Sequence, residues 1–332
     1  MKIFFPKMHL NSSNLKYSFV FLTEAGDGIG FGHLKRCISL KNKIQSEVNK
    51  CILIIFSKGE YIFEKNDEIF EMNWIDDPKL VLPFINDKSI LIIDSYIAKR
   101  QVYDFFVKKL TKTVVIDDYN RIDYGKVELI LNPNPYFEKK TYKNQSISKI
   151  YGGKDFIILS SPFINKKDTN HKFKFSQISI FIGGSDYKNI LPVILNQISL
   201  LDLKKVIVLL GNSKQLKKLK TTFLKFTFKH NLTSEEIYQV FDNSKLVISG
   251  CGQTLHELSI MGKKTIGICY DEDQKLNQKY YLNNSFLKYS IQAEDLSNLL
   301  NIIREELSNQ RKIKPSNSFL GLENFKNLIK NL

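Results

Sequence analysis

Gly28-Ile29-Gly30-Phe31-Gly32-His33-Leu34-Lys35-Arg36-Cys37 is the stretch on which the reading of this chain turns. The run before it, Tyr17-Ser18-Phe19-Val20-Phe21-Leu22, is apolar and strand-like, and Leu34 to Val48 after it has helical spacing. A glycine-rich turn from strand to helix lets backbone N–H groups approach a phosphate, and the helix N-terminus favours negative charge. His33 stands where the turn becomes the helix. An imidazole titrates near neutral pH, so it can act as general base or acid beside bound phosphates. The same residues also fit a tight turn followed by a capping or core histidine, and the local pattern leaves both readings open.

Outward from this turn, short apolar runs alternate with helical stretches. Ile52-Leu53-Ile54-Ile55-Phe56, Ile90-Leu91-Ile92-Ile93, Thr113-Val114-Val115-Ile116 and Leu129-Ile130-Leu131 read as buried strands, with a helix over Lys99 to Leu110. The character changes between Asn132 and Gln177, beginning at Asn132-Pro133-Asn134-Pro135. The alternation restarts with strands at 178–182, 206–210, 246–249 and 265–268. Helices are expected at Asn189–Leu201, Ser213–Phe223, Ser234–Asp242, Thr254–Met261 and Glu294–Ser308. Such alternation implies two parallel α/β halves whose ligands bind at the carboxyl ends of strands, in a cleft between the halves.

Composition narrows the class. With 332 residues the chain is long enough for two domains, and 43% hydrophobic with 25% charged residues is globular rather than disordered. No apolar run reaches the ~20 residues of a spanning helix. The start, Met1-Lys2-Ile3-Phe4-Phe5-Pro6-Lys7, has too short an apolar run for a signal peptide. Cys37, Cys51, Cys251 and Cys269 show no metal spacing and read as reduced thiols, so a cytoplasmic protein is expected. The net charge of +15 is spread widely and belongs to no nucleic-acid module; it reads first as a solvated surface, and its functional reading is affinity for an anionic substrate or an anionic membrane surface.

Two further glycine turns follow strands. Gly183-Gly184-Ser185-Asp186 is one and Gly250-Cys251-Gly252-Gln253-Thr254 the other. The second opens a helix with Glu257 in its first turn. That arrangement suits a diphosphate on the N–H groups and ribose hydroxyls on the carboxylate, and it equally suits a capping box of Thr254 and Glu257. Asp94, in Asp94-Ser95-Tyr96, and the pair Asp117-Asp118 follow strands, where carboxylates bind hydroxyls, act as bases or cap helices. No spacing argues for a metal.

Taken in order, these residues resemble the UDP-sugar hydrolase family of pseudaminic acid biosynthesis (PseG-type), a relative of the MurG-like GT-B glycosyltransferases. The resemblance rests on Gly30-Phe31-Gly32-His33-Leu34-Lys35-Arg36-Cys37, Asp94-Ser95-Tyr96, Ile116-Asp117-Asp118, Leu131-Asn132-Pro133-Asn134, Gly183-Gly184-Ser185-Asp186 and Thr254-Leu255-His256-Glu257. Three places depart from it. Cys251-Gly252-Gln253 stands for the family's Gly-Gly-Ser, His256 for an aromatic residue, and Asp273-Gln274 for an Asn-Gln pair.

The resemblance implies a GT-B fold of two Rossmann-like domains with a cleft between them: an N-terminal domain over 1–172, a nucleotide-binding domain over 173–312, and a tail over 313–332 that crosses back to the first. It implies hydrolysis of a UDP-activated 2,4-diacetamido-2,4,6-trideoxyhexose with inversion, without a cofactor. His33 would be the base and Tyr96 a second catalytic-site residue. Gly30, Gly32, Arg36, Asp94, Gly183, Gly184, Ser185, Asp186, Gly252, Gln253, Thr254, Glu257, Asp273 and Gln274 would contact substrate or nucleotide. A transferase of the same fold, with weak peripheral membrane association, and a non-catalytic nucleotide-sugar binder are the rival readings.

Overall fold

A computed structural model of the chain describes residues 18–26, 28–45, 50–59, 68–109, 112–146, 149–164, 177–183, 186, 188–211, 215–316 and 320–332. The expected boundary at 172/173, the segment Met1–Lys16, and Gly184 and Ser185 lie outside the described residues.

The first half contains β1 (Phe19–Gly26), α1 (Gly32–Gln45), β2 (Cys51–Lys58), β3 (Ile69–Glu71), β4 (Ile90–Asp94), α2 (Arg100–Val107), β5 (Lys112–Ile116), β6 (Leu129–Asn132) and β7 (Ile150–Gly152). Its seven strands are all parallel, in the order β3-β2-β1-β4-β5-β6-β7. After α3 (Ser161–Ile164), the second half runs β8 (Gln177–Phe181), α4 (Leu191–Ser199), β9 (Lys205–Leu210), α5 (Leu216–Thr222), β10 (Thr227–His230), α6 (Ser234–Asp242) and β11 (Leu246–Gly250). It continues with α7 (Thr254–Met261), β12 (Thr265–Cys269), α8 (Lys275–Asn283), β13 (Tyr289–Gln292) and α9 (Leu299–Ser308). Its six strands are parallel, in the order β10-β9-β8-β11-β12-β13.

The continuous apolar runs have a direct cause. Successive side chains of a strand point to opposite faces, and here both faces are covered. Val20, Leu22, Ile52 and Ile54 face a layer with Trp74, Tyr103 and Phe106, whereas Phe19, Phe21, Leu53 and Ile55 face Leu34, Leu40 and Ile44 of α1. The second sheet repeats the pattern. Ile178, Val206, Ile248 and Ile266 pack beneath α4 and α9, and Ile207, Val247 and Cys269 pack toward α6 and α7.

Two segments tie the halves together. α3 lies against α6 and α7, with Phe163 buried among them. The last helix, α10 (Gly321–Lys330), returns to the first half and packs on α1, placing Leu322, Phe325 and Ile329 in the core under β1 and β2. Burying a side chain such as Phe325 is worth roughly 2–3 kcal/mol, so this return contact is a substantial link. The first residue of the helix is glycine because a Cβ at Gly321 would fall 1.9 Å from the Ile157 carbonyl oxygen.

In each sheet the strand order reverses beside the first strand, between β1 and β4 and between β8 and β11. Crevices outside the carboxyl ends of strands at such points bind ligands in doubly wound folds. The loops after β1, β4, β8 and β11 carry the His33 turn, Asp94-Ser95-Tyr96, Gly183 and the Gly252 turn. Among the described residues, no helix is long and apolar enough to cross a membrane.

Candidate functional site

A cleft of about 690 Å³ opens between the halves. The first half contributes Gly28 to His33, Lys35, Arg36, Tyr96, Asp118, Asn134 and Tyr136. The second contributes Gly183, Gly250, Gly252, Gln253, Thr254, Glu257 and Tyr270 to Gln274. Of the expected site residues, Gly30, Gly32, His33, Arg36, Tyr96, Gly183, Gly252, Gln253, Thr254, Glu257, Asp273 and Gln274 therefore line one cleft, although they span more than 200 positions of sequence.

The turn after β1 is closed on itself. Gly26 and Gly30 form an isolated antiparallel bridge, with Gly26 N donating to Gly30 O at 3.0 Å and Gly30 N to Gly26 O at 2.8 Å; Ile29 N also donates to Gly26 O. Gly26 adopts φ +124°, and a Cβ there would meet the Lys58 carbonyl oxygen at 2.1 Å. The amides of Ile29 and Gly30 are thus spent inside the loop. Its contribution to the cleft is the start of α1 and the side chain of His33.

His33 is fixed from below. Its Nδ1 lies 2.7 Å from Asp94 Oδ1, and Asp94 is fully buried at the end of β4. An Arg36 amino group lies 3.3 Å from the same nitrogen, but the shorter contact to an anionic oxygen assigns the proton to Nδ1. Nε2 then carries the lone pair and has no hydrogen-bond partner among the described residues. The Tyr96 ring stands edge-on to the imidazole with centroids 4.1 Å apart. Burial disfavours the imidazolium, yet the Asp94 carboxylate outweighs it and raises the His33 pKa above the ordinary histidine value.

Behind His33 lies a buried charge network. Arg36 donates Nε–H to Asp94 Oδ2 at 2.8 Å and an NH2 proton to Asp94 Oδ1 at 2.7 Å. It donates again to both oxygens of Asp118, at 2.8 and 3.1 Å. Asp118 also accepts from the Tyr96 hydroxyl at 2.7 Å and from Asn134 Nδ2 at 2.6 Å. Burial works against both carboxylates, but Arg36 and His33 hold Asp94 and Asp118 below the usual range. The Tyr96 hydroxyl is pushed well above its usual range by burial and by Asp118, so it stays neutral and serves as a donor.

Three of the residues expected to contact substrate have protein partners in this structure. Asp94 does not line the cleft; it lies beneath His33 and Arg36 and orients them. Arg36 reaches the cleft wall, but four of its five N–H bonds go to Asp94 and Asp118. The Asp186 carboxylate accepts from Ile190 N at 2.8 Å and Leu191 N at 3.0 Å, which satisfies the orphan amides at the start of α4, and it is not among the cleft-lining residues.

The turn after β11 is built differently. Leu255 N and His256 N bond back to Gly252 O and Gln253 O, while the amides of Gly252, Gln253 and Thr254 make no hydrogen bond among the described residues. All three residues face the cleft at the N-terminus of α7. The Gln253 side chain is committed elsewhere, donating to Ile158 O at 2.6 Å and so holding the segment between the halves. Thr254 is the first helical residue, its predecessor makes no side-chain cap, and the capping box that the sequence allowed is absent here. Glu257 is left buried at the cleft wall, its pKa pushed up to about 7 by burial against a smaller opposing pull from Lys35.

At the cleft mouth, Asp273 is pushed up to about 6 by the surrounding protein and by Asp271 and Asp118. Gln274 is buried beneath it and accepts from Tyr270 N at 3.3 Å. His256 is fully buried and does not reach the cleft. Its Nδ1 meets the Tyr281 hydroxyl at 2.7 Å and its Nε2 meets Asn134 Oδ1 at 3.3 Å, which joins α7 to the first half. Burial lowers its pKa to about 4, so it is neutral.

Two supporting residues escaped the sequence reading. Glu24, fully buried on β1, accepts from Tyr96 N at 2.6 Å and from the Ser95 hydroxyl, which anchors the loop that carries Tyr96. A carboxylate inside the apolar run Phe19–Gly26 was the available signal. Lys35, beside His33, also lines the cleft.

With this geometry in place, likenesses to known proteins become informative. Residues 178–332 match the family described as the glycosyltransferase family 28 C-terminal domain. No curated protein matches the chain. Among solved structures, MurG of Acinetobacter baumannii is similar over 94% of this chain and 99% of its own, with 12% identity and a TM-score of 0.53. UDP-GlcNAc 2-epimerase of Methanocaldococcus jannaschii, in complex with UDP-GlcNAc and UDP, is similar over 95% and 100%, with 12% identity and a TM-score of 0.63. MnaA of S. aureus, in a co-structure with UDP, is similar over 95% and 96%, with 10% identity and a TM-score of 0.66. The chain therefore has the two-domain GT-B-like fold of these proteins, and its second half matches the C-terminal domain of glycosyltransferase family 28.

Proposed function

We propose that this protein hydrolyses a UDP-activated sugar, a 2,4-diacetamido-2,4,6-trideoxyhexose by the resemblance, to UDP and the free sugar. The single observation that carries the reading is His33, held by Asp94 through Nδ1 at 2.7 Å and lining the cleft opposite the open amides of Gly252, Gln253 and Thr254. The fold's relatives include proteins solved with UDP, which supports a nucleotide in the same cleft.

In this mechanism a water placed by His33 Nε2 attacks the anomeric carbon and gives its proton to that nitrogen. The bond between the carbon and the diphosphate oxygen breaks, and its electron pair leaves with UDP. Asp94 stabilises the imidazolium that forms, as the orienting carboxylate of a nucleophile–base–carboxylate triad does in acyl transfer. The amides and dipole of α7 receive the charge that develops on the diphosphate. Attack opposite the leaving group inverts the anomeric centre. Glu257, once ionised, accepts hydrogen bonds from the ribose hydroxyls.

The family 28 match favours a second reading, transfer of the sugar to an acceptor. The test is UDP release from a panel of such UDP-sugars without acceptor, comparing intact protein with His33→Ala. Rapid release that depends on His33 supports hydrolysis. Release that begins only when an acceptor is added supports transfer. UDP binding without turnover under either condition would leave a nucleotide-sugar-binding protein.

A further inference from the structure

A nucleoside diphosphate entering this cleft meets more carboxyl groups than basic side chains. Asp118, Glu257, Asp271, Glu272 and Asp273 line it, against Lys35, Arg36 and His33. Arg36 is consumed by Asp94 and Asp118, as the four hydrogen bonds above show. Asp271 and Glu272 are paired with Lys188 and Lys275 at the rim. Lys35 is different. It sits on the first turn of α1, half-buried, and has no ion pair among the described residues. Its Nζ lies 5.8 Å from the ring centroid of Phe181, at the end of β8 in the other half, and its charge acts on Glu257 of α7.

Lys35 is therefore carried by one half and held against the other, facing the side of the cleft where the unbonded amides lie. Amide donors alone bind a phosphate weakly against neighbouring carboxylates, whereas an ammonium adds a charge-assisted hydrogen bond. An ammonium at Lys35 and amides at Gly252–Thr254 could grip a diphosphate from both sides.

We propose that Lys35 is the diphosphate-recognising residue of the cleft, and that it makes nucleotide affinity depend on the phosphates by clamping them from the first half. This rests on the reading of the cleft as a UDP site. Lys35 also borders a second cavity of about 490 Å³ with Ser39, Ser160 and Ser161.

The test measures binding of uridine, UMP and UDP to the full chain by calorimetry, for the natural protein, Lys35→Met and Lys35→Arg. Uridine affinity serves as the control for folding. Lys35→Met is expected to weaken UDP by about tenfold or more, UMP by less, and uridine by less than about twofold, while Lys35→Arg keeps UDP within about threefold. The UDP affinity of the natural protein should also fall with added salt more steeply than that of Lys35→Met. If the natural protein binds UDP and Lys35→Met binds it equally well, this inference fails and the UDP reading stands. If the natural protein does not bind UDP, both fail. An equal loss for uridine and UDP in Lys35→Met also overturns the inference, because it assigns Lys35 a structural role.

Discussion

The two glycine turns on either side of the cleft look alike in sequence but differ in how they are braced and in the side chains they present. The turn after β1 bonds the amides of Ile29 and Gly30 within itself, while those of Gly32 and His33 at the start of α1 make no hydrogen bond among the described residues. Its backbone is locked by the Gly26–Gly30 bridge, and it offers the cleft a side chain, His33, braced by Asp94. The turn after β11 leaves its backbone open and offers amides, while its side chains Cys251 and Gln253 are turned to the interior and to Ile158. Glycine spacing does not distinguish the two. The difference lies in the side chains each turn brings to the cleft: turnover should depend on His33, and nucleotide affinity on the amides of the second turn together with Lys35.

The largest effect expected from this division is on His33. His33→Ala should lower kcat by about 10²–10⁴-fold, the usual span of a general base, with the dissociation constant for UDP changed less than about twofold. Single-turnover kinetics beside UDP calorimetry checks it. A kcat within tenfold of the natural protein's would remove the base from this turn.

Next comes Gly252→Asp. An added Cβ at Gly252 meets nothing within 4 Å, so the fold should tolerate it. A carboxylate placed among the open amides should weaken UDP by roughly tenfold or more through like-charge repulsion. The rate at saturating substrate should change far less. If Gly252→Asp binds UDP normally, the second turn is not the anion site.

The pH profile is a sharper probe of the first turn. The base must be neutral, and Asp94 raises the His33 pKa, so kcat/KM should climb with pH through a midpoint above 6.5. Replacing Asp94 by Asn removes the charge that raises this pKa, so the midpoint should move down, and kcat should fall with loss of the correct tautomer. It also leaves Arg36 with one carboxylate instead of two, so a lower melting temperature is expected beside the kinetic change. A profile unmoved by Asp94→Asn would detach the two residues.

Sequence made the central strands plain and the edges obscure, for a physical reason. The strands not anticipated are β3, β7, β10 and β13, which are the two edges of each sheet. Edge strands are covered on fewer sides, so Ile69-Phe70-Glu71 or Thr227-Phe228-Lys229-His230 carries polar residues and lacks the apolar run of a doubly buried strand. The residues that line the cleft were legible where the local pattern is rare, as in Gly30-Phe31-Gly32-His33. Sequence left the roles open where one residue type serves several ends. Asp94, Asp117 and Asp118 all end strands. Asp94 braces His33, Asp117 accepts from Asn120 N, Arg121 N and the Tyr142 hydroxyl to fold a loop, and Asp118 alone lines the cleft. Only tertiary contacts tell them apart.

The last expected effect concerns the second turn's carboxylate and is read in stability rather than rate. Glu257 has a folded pKa of about 7 against 4.5 for the free side chain, because burial disfavours its charge. The folded state then binds the extra proton between these values. Its contribution is fully present below pH 4.5 and is lost as pH rises through 7. Glu257→Gln does not titrate, so its melting temperature relative to the natural protein should rise from pH 4.5 to 7 and level above it. The gap corresponds to roughly 3 kcal/mol at most. Saturating UDP should narrow that gap above pH 7, since ribose hydroxyls would solvate the carboxylate that burial has stripped of water. A gap that is flat with pH would mean that Glu257 is already ionised in the empty cleft. A gap that appears but ignores UDP would separate Glu257 from the nucleotide and leave the amides of Gly252–Thr254 as the second half's contribution.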